Sequence, residues 1–100
     1  MSAQQGGTGM WEMIVVFAHW CPICNMMTPI VEELEADYEG RIRFSWIDVE
    51  QHPDVYEKYG IQIVPTFIML HEKEEVTRMS GMIGEGVMRE RIQALDENRL

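Results

Sequence analysis

The residues best able to do chemistry in this chain are Cys21-Pro22-Ile23-Cys24. Thiols three positions apart fall on one face of a helix and can close a disulfide. Pro22 suits the first turn of such a helix, where its missing N–H costs nothing. A cysteine at that helix start meets the positive end of the dipole and unpaired N–H groups, which favour its thiolate. The charge count, 17 acids against 8 bases for a net −9 at pH 7, opposes the thiolate. Distant charges are screened, so the local helix terminus wins. The spacing thus points to a nucleophilic Cys21 with Cys24 in reach. What such a pair does depends on the elements that hold it.

Apart from Glu12, the segment Trp11 to Phe17 is an apolar run rich in β-branched residues. That predicts a strand buried on both faces of a sheet. After Ala18-His19-Trp20, the residues Ile23, Met26 or Met27, Ile30, Leu34 and Tyr38 recur at helical spacing, and Gly40 supplies a stop. Pro29 lies inside this helix and should kink it. From Arg41 to Asp48, Ile42, Phe44 and Trp46 alternate with Arg41, Arg43 and Ser45, a second strand. Pro53 opens a short helix that Gly60 closes after Tyr59. Ile61 to Pro65 leads into a third strand, Thr66 to Leu70, and His71 to Glu74 forms a polar turn without the Asn-Gly signal of a tight hairpin. Glu75 to Ser80 pairs back, Gly81, Gly84 and Gly86 make a connection, and Val87, Met88, Ile92 and Leu95 mark a last helix. The order β-α-β-α-β-β-α belongs to the α/β class. It implies a central mixed sheet of four strands with helices on both faces, its first crossover parallel and right-handed.

One hundred residues make one domain, here a flexible leader over residues 1–10 and a single unit over 11–100. A hydrophobic share of 46% with 25% charged residues argues against disorder. No apolar run approaches the ~20 residues of a membrane helix. The acidic balance disfavours nucleic acid. Two cysteines are too few for a disulfide scaffold or a four-thiolate metal site. The first residues, Met1 to Gly9, lack the basic and apolar regions of a signal peptide, so a cytoplasmic home is expected.

From about Met13 to Leu95 the chain resembles the thioredoxin superfamily. The features that carry the likeness are Trp20-Cys21-x-x-Cys24 after the central strand, Pro29 in the following helix, Val64-Pro65-Thr66 behind Tyr59-Gly60-Ile61, and Gly81 after the last strand. The resemblance implies a thioredoxin-like fold and a protein-disulfide oxidoreductase with no cofactor beyond a redox-active Cys21–Cys24 disulfide. Cys21 would attack a substrate disulfide and Cys24 would resolve the mixed disulfide. Val64 would pair with an extended substrate and a cis Pro65 would shape the groove, with Trp20, Pro22, Ile23 and Gly81 beside it. Expected partners are protein disulfides and an electron donor of the thioredoxin-reductase type, and the expected state is a monomer without bound metal.

The sequence also departs from the family. With Trp11 to Phe17 read as the central strand, it is expected to lack the family's preceding strand and helix and so to be closer to the core shared with glutaredoxins. Its dipeptide is Pro-Ile rather than Gly-Pro. Val15 stands where thioredoxins bury an aspartate beneath the second cysteine, and Trp46 replaces the neighbouring lysine. Deprotonation of Cys24 must then use water or another base. Pro22 supports the alternative of a glutaredoxin-like or oxidant-like exchange protein. A different class is also compatible, a non-catalytic thioredoxin-like module binding a metal or a protein. His19 reads either as a modulator of the Cys21 thiolate or as a solvent-facing strand end. Met26 and Met27 read as Cu(I) ligands or, more simply, as packing, and Met82 as a groove residue. The acids at 32–39 and 72–75 read as solvated surface.

Overall fold

The computed structural model describes residues 10–99, with side chains through residue 95. Apart from Met10, the expected leader lies outside the described residues. Strand β1 (Trp11–Phe17) occupies the inside of the sheet. Its apolar run has the predicted cause, because both faces are covered. Met13 and Val15 point into one cluster with Phe67 and Met69, while Ile14 and Val16 join Ile68 in another. On one flank β2 (Ile42–Asp48) runs parallel, setting Val15 beside Trp46. On the other, β3 (Thr66–His71) runs antiparallel, setting Val15 beside Phe67, and β4 (Glu74–Ser80) pairs with β3. The order β2-β1-β3-β4 is the mixed four-stranded sheet of the thioredoxin-like fold.

Helix α1 (Pro22–Asp37) makes the parallel crossover from β1 to β2. With α3 (Glu85–Arg99) it buries Met27, Val31, Leu34, Met88 and Ile92 against the Met13 face. The opposite face receives the single turn α2 (Val55–Lys58), through Val55 together with Val49 and Ile61. Helices therefore stand on both faces, as the pattern required. Arg89 of α3 reaches across to α1, meeting Asp37 at 2.6 Å and Glu33 at 3.7 Å, while also pairing with Glu85 at 3.0 Å. Part of the acidic surface on α1 is thus a clamp. Hydrogen bonding with Glu85 is the main cause that holds the Glu33 carboxyl above its ordinary range.

Several boundaries move by a residue or two. Strand β2 begins at Ile42, not Arg41, because the Tyr38 carbonyl at the end of α1 accepts both the Arg41 and Ile42 N–H groups. Helix α1 continues past Pro29, which removes only the N–H that the Asn25 carbonyl would accept. The β3–β4 turn is tighter than its sequence indicated. Only Glu72 and Lys73 lie outside the ladder, with φ of 53° and 71°. This is the left-handed backbone of a two-residue hairpin, adopted without asparagine or glycine. Pairing along the strands sets the register, and His71 completes it beside Trp11, ring centroids 4.5 Å apart.

Phe67 has no exposed surface and sits between β1 and β4 at the centre of the larger cluster. Truncation of Phe67 to alanine is expected to cost roughly 3–5 kcal/mol of stability. Denaturant titration checks this, and a loss below ~1 kcal/mol would remove Phe67 from the centre of packing.

Candidate active site

Where β1 ends, the chain turns sharply, and the Cys21 N–H donates to the Ala18 carbonyl at 3.2 Å. Cys21 is then the N-cap of α1, with extended backbone (φ −93°, ψ 114°), and Pro22 takes the first helical position. The Cys21 sulfur accepts the Cys24 N–H at 3.2 Å. An N-cap oxygen ordinarily holds that place. Here a sulfur does, aimed at the end of the helix that stabilises negative charge. The Cys21 thiol also donates to the Val64 carbonyl at 3.7 Å, so the dithiol and the distant loop meet.

Both cysteines are free thiols, 5% and 3% exposed. The Cys24 thiol is pushed up from the usual 9.0 to about 12. Burial is the largest cause, followed by the hydrogen bond and the charge interaction with Cys21, and the Ala18 backbone pulls the other way. Cys24 is therefore held as a thiol at neutral pH. A pair in which one sulfur sits at a helix terminus and the other keeps its proton has unequal partners. Disulfide exchange needs such partners, one to attack and one to wait.

The loop opposite is built from β3 and β4. The Val64–Pro65 peptide bond is cis, and Pro65 is buried. Its carbonyl accepts the Gly81 N–H at 2.9 Å, and Gly81 has a φ of +82° that favours glycine. Thr66 ties the same corner to Ile63 at 2.6 Å and to Ser80 at 3.0 Å. Val64, Pro65 and Gly81 are thus brought together beside Cys21. Trp20 is 61% exposed, and Pro22 and Ile23 are also at the surface.

His19 stands differently from the nucleophile's neighbours. It is exposed, with Nε2 3.3 Å from Asp48 Oδ2 and its ring edge-on to Phe17 at 5.2 Å. Asp48 was missed in the sequence, where it read only as a strand end. It is 8% exposed, and its other oxygen accepts the Glu50 N–H at 2.9 Å. The readable signal is an acid closing an apolar strand that runs parallel to β1 and ends opposite Phe17. Val15 is 2% exposed within the apolar cluster. Exposed Ile63 was likewise missed. Alternation groups it with Ile61, yet Ile61 is buried, because residues 61–65 form a bent loop rather than a strand. Of the two methionines after Cys24, Met27 is core and Met26 is exposed.

A strand-to-helix dithiol faced by a proline loop is the site of thiol–disulfide exchange proteins. The Thioredoxin family profile matches residues 10–94, and the chain belongs to that family. Among similar proteins, the thioredoxin of Staphylococcus aureus strain Mu50 is 34% identical over 70 residues, 70% of this chain and 67% of its own length. The thioredoxin of strain MW2 gives the same values. A solved structure titled as thioredoxin-2, a component of malaria parasite protein secretion machinery, superposes with a TM-score of 0.80. It covers 86% of this chain and 84% of its own at 22% identity, a likeness of fold. The family and these relatives support a thiol–disulfide oxidoreductase, with protein disulfides as its general substrate class.

The raised Cys24 value has a measurable sign. A folded value above the unfolded one stabilises the reduced fold fully below pH 9.0, and that contribution is lost as pH rises toward 12. The reduced parent protein should therefore lose stability across that window more steeply than Cys24→Ser. Thermal melts at stepped alkaline pH read this directly, and parallel curves would contradict the buried-thiol assignment.

Proposed function

We propose that this protein reduces protein disulfides by a two-step exchange at Cys21 and Cys24. The Cys21 thiolate attacks one substrate sulfur; a Cys21–substrate bond forms as the substrate S–S bond breaks, and the departing sulfur takes up a proton. Cys24 then gives up its proton and attacks the Cys21 sulfur. The Cys21–Cys24 disulfide forms and the second substrate thiol leaves. The substrate gains two electrons and two protons, and the protein's dithiol is oxidised. The observation that carries this reading is the Cys24 N–H donated to the Cys21 sulfur at the N-cap of α1.

In this reading Trp20, Pro22 and Ile23 line the approach, and Val64, Pro65 and Gly81 form the opposite wall. The Val64 backbone offers an edge for an extended substrate segment. Exposed Ile63 and Met82, at 52% and 50%, lengthen that apolar margin. His19 acts as a modulator from its place beside Asp48, Nε2 to Oδ2 at 3.3 Å. The resolving step is the slow one, since apolar Val15 supplies no base and Cys24 holds its proton tightly. The cycle uses no cofactor besides its own disulfide and closes when a donor of the thioredoxin-reductase type re-reduces it. A monomer working in the cytoplasm is the setting this reading assigns.

Replacing the resolving residue separates the two steps. With an oxidised peptide, Cys24→Ser should accumulate a mixed disulfide at Cys21, seen by intact mass and peptide mapping, whereas Cys21→Ser should form none. A mixed disulfide mapped to Cys24 in Cys21→Ser would reverse the roles. An intact substrate disulfide after incubation with the reduced parent protein would reject the activity.

A further inference from the structure

A second concave surface adjoins the dithiol. The sheet order places Val64 and Pro65 on the β3 side of β1, and Trp46 on the β2 side. On that β2 side lies a cleft of about 450 Å³ lined by Phe17, His19, Asn25, Thr28, Glu32 and Trp46. It shares a wall with the active site. Asn25 follows Cys24 directly and donates from Nδ2 to the His19 carbonyl at 3.4 Å, and the Thr28 hydroxyl donates to the Cys24 carbonyl at 2.9 Å.

The lining is amphipathic in a specific way. Phe17 and Trp46 are half-buried, ring centroids 6.0 Å apart and nearly perpendicular, and the Trp46 indole is anchored by its N–H to Glu35 at 3.0 Å. Glu32 is exposed and has no ion-pair partner among the described residues. Among the described residues no lysine or arginine lines the cleft, and the His19 imidazole is engaged by Asp48. Aromatic surface beside an unpaired carboxylate suits a long aliphatic stem ending in a cation. A neutral apolar side chain would cover the rings and leave Glu32 unpaired. An acidic one would meet Glu32 and a chain of net charge −9.

We propose that this cleft is an accessory subsite for an arginine or lysine side chain of the same polypeptide whose disulfide is engaged at Cys21. The inference rests on the disulfide-exchange reading above and adds to it a substrate preference. Basic residues near the target cysteine are favoured, on the side of the cysteine that runs toward β2.

Paired disulfide peptides, identical except for arginine or glutamine at one position scanned along both sides of the cysteine, test it with the reduced full chain. At one or two positions the arginine peptide should be reduced about five- to tenfold faster at low ionic strength, with the advantage shrinking in about 0.5 M salt. In Glu32→Gln the advantage should be lost while the glutamine peptide is reduced at the parent rate. In Glu32→Lys it should pass to a glutamate peptide. Equal rates for arginine and glutamine at every position overturn the subsite, as does an arginine advantage that persists in both Glu32 variants. Reduction of neither peptide rejects the exchange reading itself, and the subsite with it.

Discussion

A single contact organises this molecule: the Cys24 N–H donated to the Cys21 sulfur at the start of α1. It satisfies a helix donor that would otherwise need an oxygen cap, and it holds the sulfur at the N-terminal end of the helix dipole. That contact exists only because β1 delivers Cys21 in extended conformation to a helix that begins at Pro22. The demand propagates inward. For the turn to be rigid, β1 must be clamped on both sides and both faces. This is what its parallel pairing with β2, its antiparallel pairing with β3, and the two apolar clusters provide.

The same burial that makes the scaffold rigid makes the pair unequal. Cys24 points into the protein, where a thiolate loses its hydration, so its proton is retained. Val15 belongs to the apolar cluster of Met13, Met27 and Phe67, not to the one that holds Cys24, and it offers no base. Stability and chemistry pull against each other at this point. A carboxylate at position 15, where the family buries one, would have to lie among Met27 and Phe67 in the apolar cluster, a costly arrangement. The chain resolves the conflict toward packing, and Trp46 follows suit by binding Glu35 at the sheet edge instead of facing an acid across the strands.

Much of this was legible in the residues. The apolar run of β1 and Pro22 after Cys21 each express a local demand, and each appears where expected. What stayed hidden depends on sequence-distant contacts. The left-handed Glu72 and Lys73 follow from strand register, which overrides weak turn chemistry. Asp48 looked like a strand end because nothing nearby in the chain reveals His19, which comes from the end of β1. Glu33 and Asp37 looked like solvated surface because their partner, Arg89, lies on the last helix. Ile63 fits an alternating pattern and breaks it, since a loop tied by Thr66 to the Ile63 carbonyl no longer alternates.

The two flanks of β1 give the dithiol two different neighbours. Toward β3 the surface is backbone and apolar side chain, a carbonyl at Val64 with Ile63 and Met82 exposed around it. Such a surface reads the shape of an extended chain and discriminates little among side chains, because main-chain hydrogen bonds are common to all sequences. Toward β2 the surface carries rings and a carboxylate without an ion-pair partner among the described residues, groups that differ in their response to each side-chain type. Cys21 stands between them at the end of the one strand both flanks share. A segment crossing the sulfur would therefore be held by its backbone on one side and sorted by its side chains on the other.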